Sequence, residues 1–437
     1  MVLEETGKSR AGLVGASQKG FRMTGVTRCI IFLSLLLAWA LCPVGADEAG
    51  TLALVGATVY SSPAATPLRD AVVLLAKGKI VSVGKRAEIK LPKAARVIDC
   101  RGKTVVAGFW NSHVHFIEDV WRPGYAAKTG NACSVCLMAT HMREMLTRWG
   151  FTTVWDLGSD PRQTLGLRRA IEGGALLGPQ ILMAGDIFPK GGHPVYLPPE
   201  IPLPEAGTPE EAEQMARADL KMGLDGMKLF TGAFMGDKPV VNMDVAVVKG
   251  AVGVAHAQGK PVFAHPQNST GLDNAIDGGV DVLAHTIPST DFHYSERELA
   301  RFKAQHTALV PTLALWTTIV SDRAVTERIV QAGVDQLKAF SENGGVVLFG
   351  TDVGFIKIYD TSKELEFMHR ALSTREVLAS LTTSPAEYFK ATSKGRVEEG
   401  WDADLVVLDG DPVAAIRNLA KVAYTIHGGR IIYQNLR

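Results

Sequence analysis

Residues 107–116 read AGFWNSHVHF, an apolar run that begins after a glycine and ends in His113-Val114-His115. A short apolar run of this kind is typical of a buried β-strand. Successive side chains of a strand point to opposite sides, so residues two apart share a side. His113 and His115 are therefore predicted to lie together at the end of the strand.

Seven further apolar runs follow this strand, and longer amphipathic stretches separate them. This alternation is the pattern of βα repeats and a parallel sheet. The predicted strands are GFWNSHVHF (108–116), TTVWDL (152–157), QILMAGDI (180–187), GMKLF (226–230), PVFAH (261–265), VDVLAHT (280–286), ALVPTL (308–313) and VVLFGTD (346–352). Eight repeats within residues 107–394 predict a (β/α)8 TIM-like barrel. A Pro- and Gly-rich loop, 187–208, follows the third strand and is expected to frame a pocket.

Polar side chains recur where the predicted strands end. Besides the histidine pair, the fourth strand carries Lys228, the fifth ends at His265, the sixth reaches His285 and the eighth ends at Asp352. Imidazole and carboxylate groups bind zinc and similar divalent ions. Each residue alone has an ordinary structural explanation, such as a core histidine or a helix cap. Their order along one barrel, at the rim where barrel enzymes place their chemistry, predicts a metal centre.

The two ends of the chain have a different pattern from the barrel. Residues 47–106 and 395–437 contain short β segments broken by Gly, Pro and Asp-rich turns, such as LALVGATVY (52–60) and KVAYTIHGGRIIY (421–433). The two ends are predicted to fold together as one small, discontinuous β-sandwich domain beside the barrel.

The N-terminal extension, residues 1–46, has the features of a secretory signal peptide. Basic residues up to Arg28 precede an apolar run (29–42), and small residues lead to a cleavage point after Ala46. The run is shorter than the roughly 20 residues that span a bilayer. Export to the periplasm or outside the cell is the expectation, with no stable membrane span after cleavage; the alternative is an uncleaved membrane anchor. Met23 is an alternative translation start.

Composition limits the partners of the protein. The formal net charge is +1, with 46% apolar and 21% charged residues. This balance gives no electrostatic reason to expect nucleic acid, so the expected partner is a small-molecule substrate. Cys133 and Cys136 form a lone CxxC pair, for which a local disulfide and a pair of buried thiols are both open. The sequence does not indicate an oligomeric state.

The motifs together resemble the amidohydrolase superfamily, over nearly everything after residue 51. The nearest branch is the imidazolonepropionase-like group that includes Xaa-Pro and related dipeptidases. The resemblance is carried by AGFWNSHVHF, by GMKLFTG around Lys228, by FAHP with His265, by LAHT with His285, by GTDVG with Asp352 and by the tail GRVEEGWDADLVVLDGDP. Ala107 and Asn111 depart from the Pro and Asp that the family commonly has there.

The resemblance implies a centre with two divalent ions, expected to be zinc. It assigns His113, His115 and Asp352 to the first ion, and His265 and His285 to the second. It makes Lys228 a bridge after N-carboxylation. The charge argument agrees, because a free ammonium would be repelled by two cations whereas a carbamate would attract both.

The implied activity is hydrolysis of amide (C–N) bonds, with a metal-bound hydroxide as nucleophile. Asp352 is the expected general base and then acid. Dipeptides or N-acyl amino acids are the best guess for the substrate. The alternatives are a mononuclear deaminase or cyclic-amide hydrolase, a lactone or phosphoester hydrolase, and a non-catalytic binding protein. The residues expected to contact substrate are His193, Tyr196, Thr231, Asn268 and Trp316.

Overall fold

The computed structural model describes residues 50–131 and 133–436. The predicted signal segment, residues 1–46, lies outside this part of the chain. The strands of the described residues are β1 Leu52–Val59, β2 Leu68–Ala76, β3 Lys79–Lys85, β4 Arg96–Asp99, β5 Thr104–Ala107, β6 Phe109–Val114, β7 Phe151–Asp156, β8 Gln180–Pro189, β9 Glu205–Ala206, β10 Gly226–Leu229, β11 Gly232–Ala233, β12 Val241–Asn242, β13 Val262–Ala264, β14 Val282–Ala284, β15 Ala308–Val310, β16 Val346–Val347, β17 Leu405–Leu408, β18 Val422–His427 and β19 Arg430–Gln434.

Helices lie between the strands of the barrel. They are α1 Tyr125–Lys128, α2 Ser134–Met145, α3 Pro161–Glu172, α4 Pro209–Met222, α5 Val245–His256, α6 Ser269–Gly278, α7 Glu296–Gln305, α8 Trp316–Ile319, α9 Arg323–Glu342, α10 Ser362–His369, α11 Thr374–Leu381 and α12 Thr383–Tyr388. Helix α4 shows how local sequence sets these elements. Thr208 and Glu211 form a capping box around Pro209, and Ala212 and Ala216 are among its buried residues.

The barrel contains all eight predicted strands. Its parallel sheet runs in the order β6-β7-β8-β10-β13-β14-β15-β16. The segment after β16 returns to β6, because Val114 and Val353 form a parallel bridge and Ser112 donates a hydrogen bond to the carbonyl of Phe349 at 2.7 Å. The sheet therefore closes, and the predicted fold class is confirmed.

Closure requires a very close approach between the first and last repeats. At Gly354, where φ is 99°, a Cβ atom would lie 1.9 Å from the carbonyl oxygen of His115. Only glycine allows both this backbone conformation and this distance. The approach places Asp352 beside the histidine pair of β6.

The two ends of the chain meet in one eight-stranded sheet beside the barrel. Its path is β19-β18-β17-β5-β1-β2-β3, with β4 paired to β1. The sheet folds over itself, since Ile80 of β3 donates to the carbonyl of Trp401 at 2.9 Å, and Leu75, Leu405 and Ile426 share one buried core. Strands from both chain ends therefore form one sheet.

Two further features bear on the predictions. Cys133 and Cys136 form a disulfide at the beginning of α2, which answers the question that the sequence left open. Within the described residues, no helix is both long enough and apolar enough to span a membrane.

Candidate metal centre

His113, His115 and Asp352 lie together at the C-terminal rim of the barrel. Nε2 of His113 is 3.2 Å from Nε2 of His115, and Oδ1 of Asp352 is 3.4 Å from the first and 2.8 Å from the second. The three residues can each offer one ligand atom within 4.8 Å of the others. Barrel closure produces this geometry, because the backbone N–H of Asp352 donates to the carbonyl of His113 at 2.9 Å.

The environment of the pair keeps one ring nitrogen of His115 available. Nδ1 of His115 lies 2.8 Å from the carbonyl oxygen of Gly158, which fixes the ring and leaves Nε2 to face Asp352. Burial, with a smaller effect of Lys228, holds the pKa of His113 well below its usual value. Burial also lowers the pKa of His115, but the adjoining Asp352 carboxylate outweighs it and the net shift is upward.

His285 and His265 extend the cluster from the other side. The ring of His285 lies 4.7 Å from the ring of His113 and 4.8 Å from that of His265, measured between centroids. Burial lowers the pKa of His265 to about 4 and that of His285 well below its usual value. The rings are therefore neutral at pH 7, the form that binds metals.

Lys228 lies on β10 within the same cluster and is 1% exposed. Among residues 50–131 and 133–436, no carboxylate lies within ion-pair distance of its Nζ, which stands 5.4 Å from the centroid of the Phe230 ring. Burial lowers its pKa to about 8, against the opposing effects of Asp352 and Asp186. A buried ammonium without an ion pair is costly, so this lysine needs a chemical reason for its position.

Two carboxylates at the rim were missed by the sequence prediction. Asp186 pairs with Lys228 in the register of β8 and β10, and burial raises its pKa to about 7. Asp156 ends β7, is 1% exposed and accepts a hydrogen bond from the Ser159 hydroxyl at 2.6 Å. Both residues stand near the ends of the second and third predicted strands, so the strand-end argument that selected the other residues could have found them.

Three residues expected to contact substrate make local contacts in the structure. The ring nitrogens of His193 lie 3.3 Å and 3.2 Å from two carbonyl oxygens of its own loop. Asn268 caps α6 by accepting the N–H of Gly271 at 2.8 Å. Thr231 is fully buried, and its hydroxyl donates to the carbonyl of His265 at 3.4 Å.

The other two expected residues are aromatic and stand close to the cluster. Tyr196, from the long loop after β8, contacts Phe355 at 5.4 Å, and Phe355 in turn lies 6.4 Å from the ring of His115. The ring of Trp316 lies 6.4 Å from that of His285, and its buried Nε1 has no hydrogen-bond partner among the described residues. Aromatic side chains therefore stand on two sides of the histidines.

The sequence matches the amidohydrolase family over residues 104–432, well over half of the chain. The chain belongs to this family, the class of hydrolytic enzymes that its motifs resemble. The fold, the order of the rim residues and the match agree on this point.

Individual relatives are distant in sequence. The imidazolonepropionase of Porphyromonas gingivalis is 26% identical over 191 residues, which are 40% of this chain and 45% of that protein. The alignment thus spans less than half the length of that relative. The ochratoxinase of Aspergillus niger is 24% identical over 417 residues, covering 84% of this chain and 83% of that protein.

Solved structures agree on the fold. A protein of Bifidobacterium longum assigned as a prolidase superposes with a TM-score of 0.75 at 25% identity, covering 89% of this chain and 96% of that one. A Xaa-Pro dipeptidase with bound methionine in its active site superposes with a TM-score of 0.74 at 22% identity, and the match covers 88% of this chain and 100% of that one. The similarities support the imidazolonepropionase- and dipeptidase-related branch.

Proposed function

We propose that the chain is a metal-dependent hydrolase of C–N bonds, with dipeptides or N-acyl amino acids as the best guess for its substrates. The observation that carries the proposal is the convergence of His113, His115 and Asp352 at the barrel rim, in contact with a second histidine pair through the rings of His113 and His285.

The donor set fits divalent cations. Two imidazoles and one carboxylate are typical zinc ligands, and buried Oδ1 of Asp352 accepts no well-aligned hydrogen bond from the described residues. His113, His115 and Asp352 would hold the first ion, and His265 and His285 the second. When bound, such ions supply an activated water and polarise the scissile carbonyl.

Lys228 would hold both ions as a carbamate. Its buried amine, without an ion pair among the described residues, can react with carbon dioxide; the C–N bond forms as one proton leaves, and the product is an anion with two oxygens. From the ammonium form two protons leave in all, so a cation that the ions would repel would become an anion that could hold them.

Asp352 would move the proton. Its carboxylate would accept a proton from the attacking water and return it to the leaving nitrogen, as base and then acid. Tyr196, Phe355 and Trp316 would exclude water from one side of the reacting carbonyl and pack against apolar groups of the substrate. His193, Thr231 and Asn268 would shape the loops around them.

Metal analysis and a substrate screen test the proposal together. The purified chain is expected to contain about two ions, to lose activity with a chelator and regain it with Zn²⁺, and to cleave members of a panel of dipeptides and N-acyl amino acids. His113→Asn should lose metal, whereas His256→Asn, at the end of α5, should retain it. A fully metal-loaded chain that cleaves none of these compounds, but does cleave lactones or phosphoesters from a second panel, would contradict the proposed reaction.

A mononuclear enzyme is the second candidate. Among the histidines and carboxylates of the described residues, His113, His115 and Asp352 form the group of three whose ligand atoms lie within 4.8 Å of one another, and one relative is an imidazolonepropionase. One ion per chain, an unmodified Lys228 by intact mass under carbon dioxide, and activity on cyclic amides or deamination substrates would favour this candidate.

We also propose export, on the basis of the basic and apolar pattern in residues 1–46. Expression of the full chain should give a mature protein outside the cytoplasm whose N-terminal sequence begins at Asp47. Retention in the membrane fraction with the apolar run intact would favour the anchor instead.

A further inference from the structure

The side chain of Thr312 contacts the imidazole of His285 at its Nδ1 atom. Nδ1 of His285 lies 2.5 Å from Oγ1 of Thr312, which follows the neighbouring strand β15. His285 is 4% exposed and Thr312 is fully buried. With Nδ1 engaged, Nε2 is the ring atom that remains for a ligand.

The backbone is strained at both ends of this contact. The φ angle is 77° at His285 and 45° at Thr312. Residues with a Cβ rarely adopt the left-handed region, least of all a β-branched threonine. Such conformations cost on the order of 1–3 kcal/mol each and persist only where the surrounding structure imposes them.

Two buried polar side chains hold the backbone that follows each strained residue. The carboxylate of Glu364 in α10 accepts the N–H groups of Leu313 and Ala314 at 3.0 Å and 2.6 Å. The amide of Gln336 in α9 accepts the N–H of Ile287 at 2.8 Å and donates to its carbonyl at 2.9 Å. The segments after β14 and β15 are thus each fixed by one helix.

Among the described residues, Glu364 forms no ion pair that would explain its burial. It is 1% exposed, and none of the basic groups in the described part of the chain lies within 4 Å of its carboxylate. Its only described partners are the two N–H groups beyond Thr312. Burying a carboxylate is costly, so its presence here indicates that the two N–H groups beyond Thr312 are held in a fixed position.

We propose that Thr312 is a positioning residue for the second half of the metal centre. Its hydroxyl accepts a hydrogen bond from Nδ1–H of His285, so Nε2 of that ring carries no proton and would be free to bind the ion. Glu364 fixes the backbone after Thr312 and so holds the hydroxyl in this position. The inference rests on the proposed metal-dependent function for its purpose, but the predicted proton position is a property of the metal-free protein.

The first experiment reads the tautomer without metal. In chelator-treated protein labelled with ¹⁵N-histidine, the His285 signal, identified by its loss in His285→Asn, should show a protonated Nδ1 and a bare Nε2. Thr312→Val, which keeps the branched shape, should lose this preference, and Thr312→Ser should keep it. A wild-type His285 that carries its proton on Nε2 would overturn the proposal.

The second experiment measures the affinity for each ion by competition with a chromogenic chelator. Thr312→Val should weaken the affinity for one ion about 10- to 100-fold, the usual effect of removing a hydrogen-bond partner of a metal ligand. The affinity for the other ion should stay within about threefold of the wild-type value. Glu364→Gln should weaken the same ion. Because Glu364 acts through Thr312, the double variant should bind that ion within about threefold of Thr312→Val.

Thr425→Val is the matched control. Thr425 is also fully buried, and its hydroxyl makes one hydrogen bond, to the carbonyl of Thr147 in the barrel at 2.6 Å. It should lose a comparable amount of stability and bind both ions as the wild type does. Equal metal affinities in Thr312→Val and Thr425→Val would contradict the proposal. A wild type that binds no second ion but has the predicted tautomer would contradict the two-ion function and leave the positioning role supported.

Discussion

Replacing Gly333 with alanine tests whether helix α9 must approach the metal centre as closely as the structure shows. A Cβ at Gly333 would lie 2.7 Å from Cδ2 of Leu313 and 2.8 Å from Oγ1 of Thr286. Both neighbours are fully buried, so neither can move aside freely. Overpacking of this kind costs about 1–3 kcal/mol. Alanine gains about 1 kcal/mol over glycine in a helix interior, so the net loss should reach about 2 kcal/mol.

Gly253 provides the comparison, because it lies in the exposed face of α5 and a Cβ there meets nothing within 4 Å. Gly253→Ala should therefore stabilise the protein by about 0.5–1 kcal/mol. The difference between the two variants isolates the steric cost. It is measured by urea unfolding in excess chelator, so that ion binding does not contribute.

The packing argument also predicts where the cost arises. Leu313→Ala alone should destabilise the protein, but combined with Gly333→Ala it should cost less than the sum of the two changes, because the new methyl group fills the space. If Gly333→Ala is as stable as Gly253→Ala, the close approach of α9 to Leu313 and Thr286 is refuted.

Three other predictions concern single sites. Asp352→Asn should keep the fold and lower turnover by about 10²- to 10⁴-fold; near wild-type activity would remove its role in proton transfer. Burial raises the pKa of Glu364 from 4.5 to about 7, so this group costs the wild type up to about 3 kcal/mol of stability as the pH rises through that window. In metal-free protein, the free energy of unfolding of Glu364→Gln should not show this loss with rising pH. Parallel pH profiles of the wild type and the variant would contradict the prediction. The disulfide between Cys133 and Cys136 closes a very short loop, so replacing both with serine should cost about 2 kcal/mol or less and leave kcat unchanged; a large loss of kcat would show that α2 supports the active site.

The strand-end residues could be predicted from sequence because their position follows from periodicity alone. Each lies where an apolar run stops, and parallel strands of a closed barrel bring such positions to one rim. Asp156 and Asp186 obey the same rule, and applying it to the second and third strands would have included them. The barrel and the joining of the chain ends were predicted on equally local grounds.

The supporting residues could not be predicted in this way. Glu364 and Gln336 lie within helices, and nothing in their local pattern distinguishes them from exposed polar positions. Their role depends on how α9 and α10 pack against loops that are distant in sequence. Thr312 lies in an ordinary Val-Pro-Thr-Leu sequence, and its left-handed backbone has no sequence signal, because β-branched residues normally avoid it.

The two halves of the centre differ in what holds their imidazole rings, because a backbone carbonyl, that of Gly158, contacts the ring of His115, whereas a side chain, that of Thr312, contacts the ring of His285. In the first half, backbone hydrogen bonds of barrel closure place the ligands, with Asp352 and Val353 paired to His113 and His115 at 2.9 Å and 2.8 Å. In the second half, backbone pairing also places His285, whose N–H donates to the carbonyl of Val310 at 2.8 Å, but its ring is held by the side chain of Thr312. Backbone pairing that closes a barrel cannot be lost without opening the fold, whereas a side-chain support can be lost alone. Changes in α9 and α10 should thus weaken the second half of the centre first, while His113, His115 and Asp352 keep their arrangement.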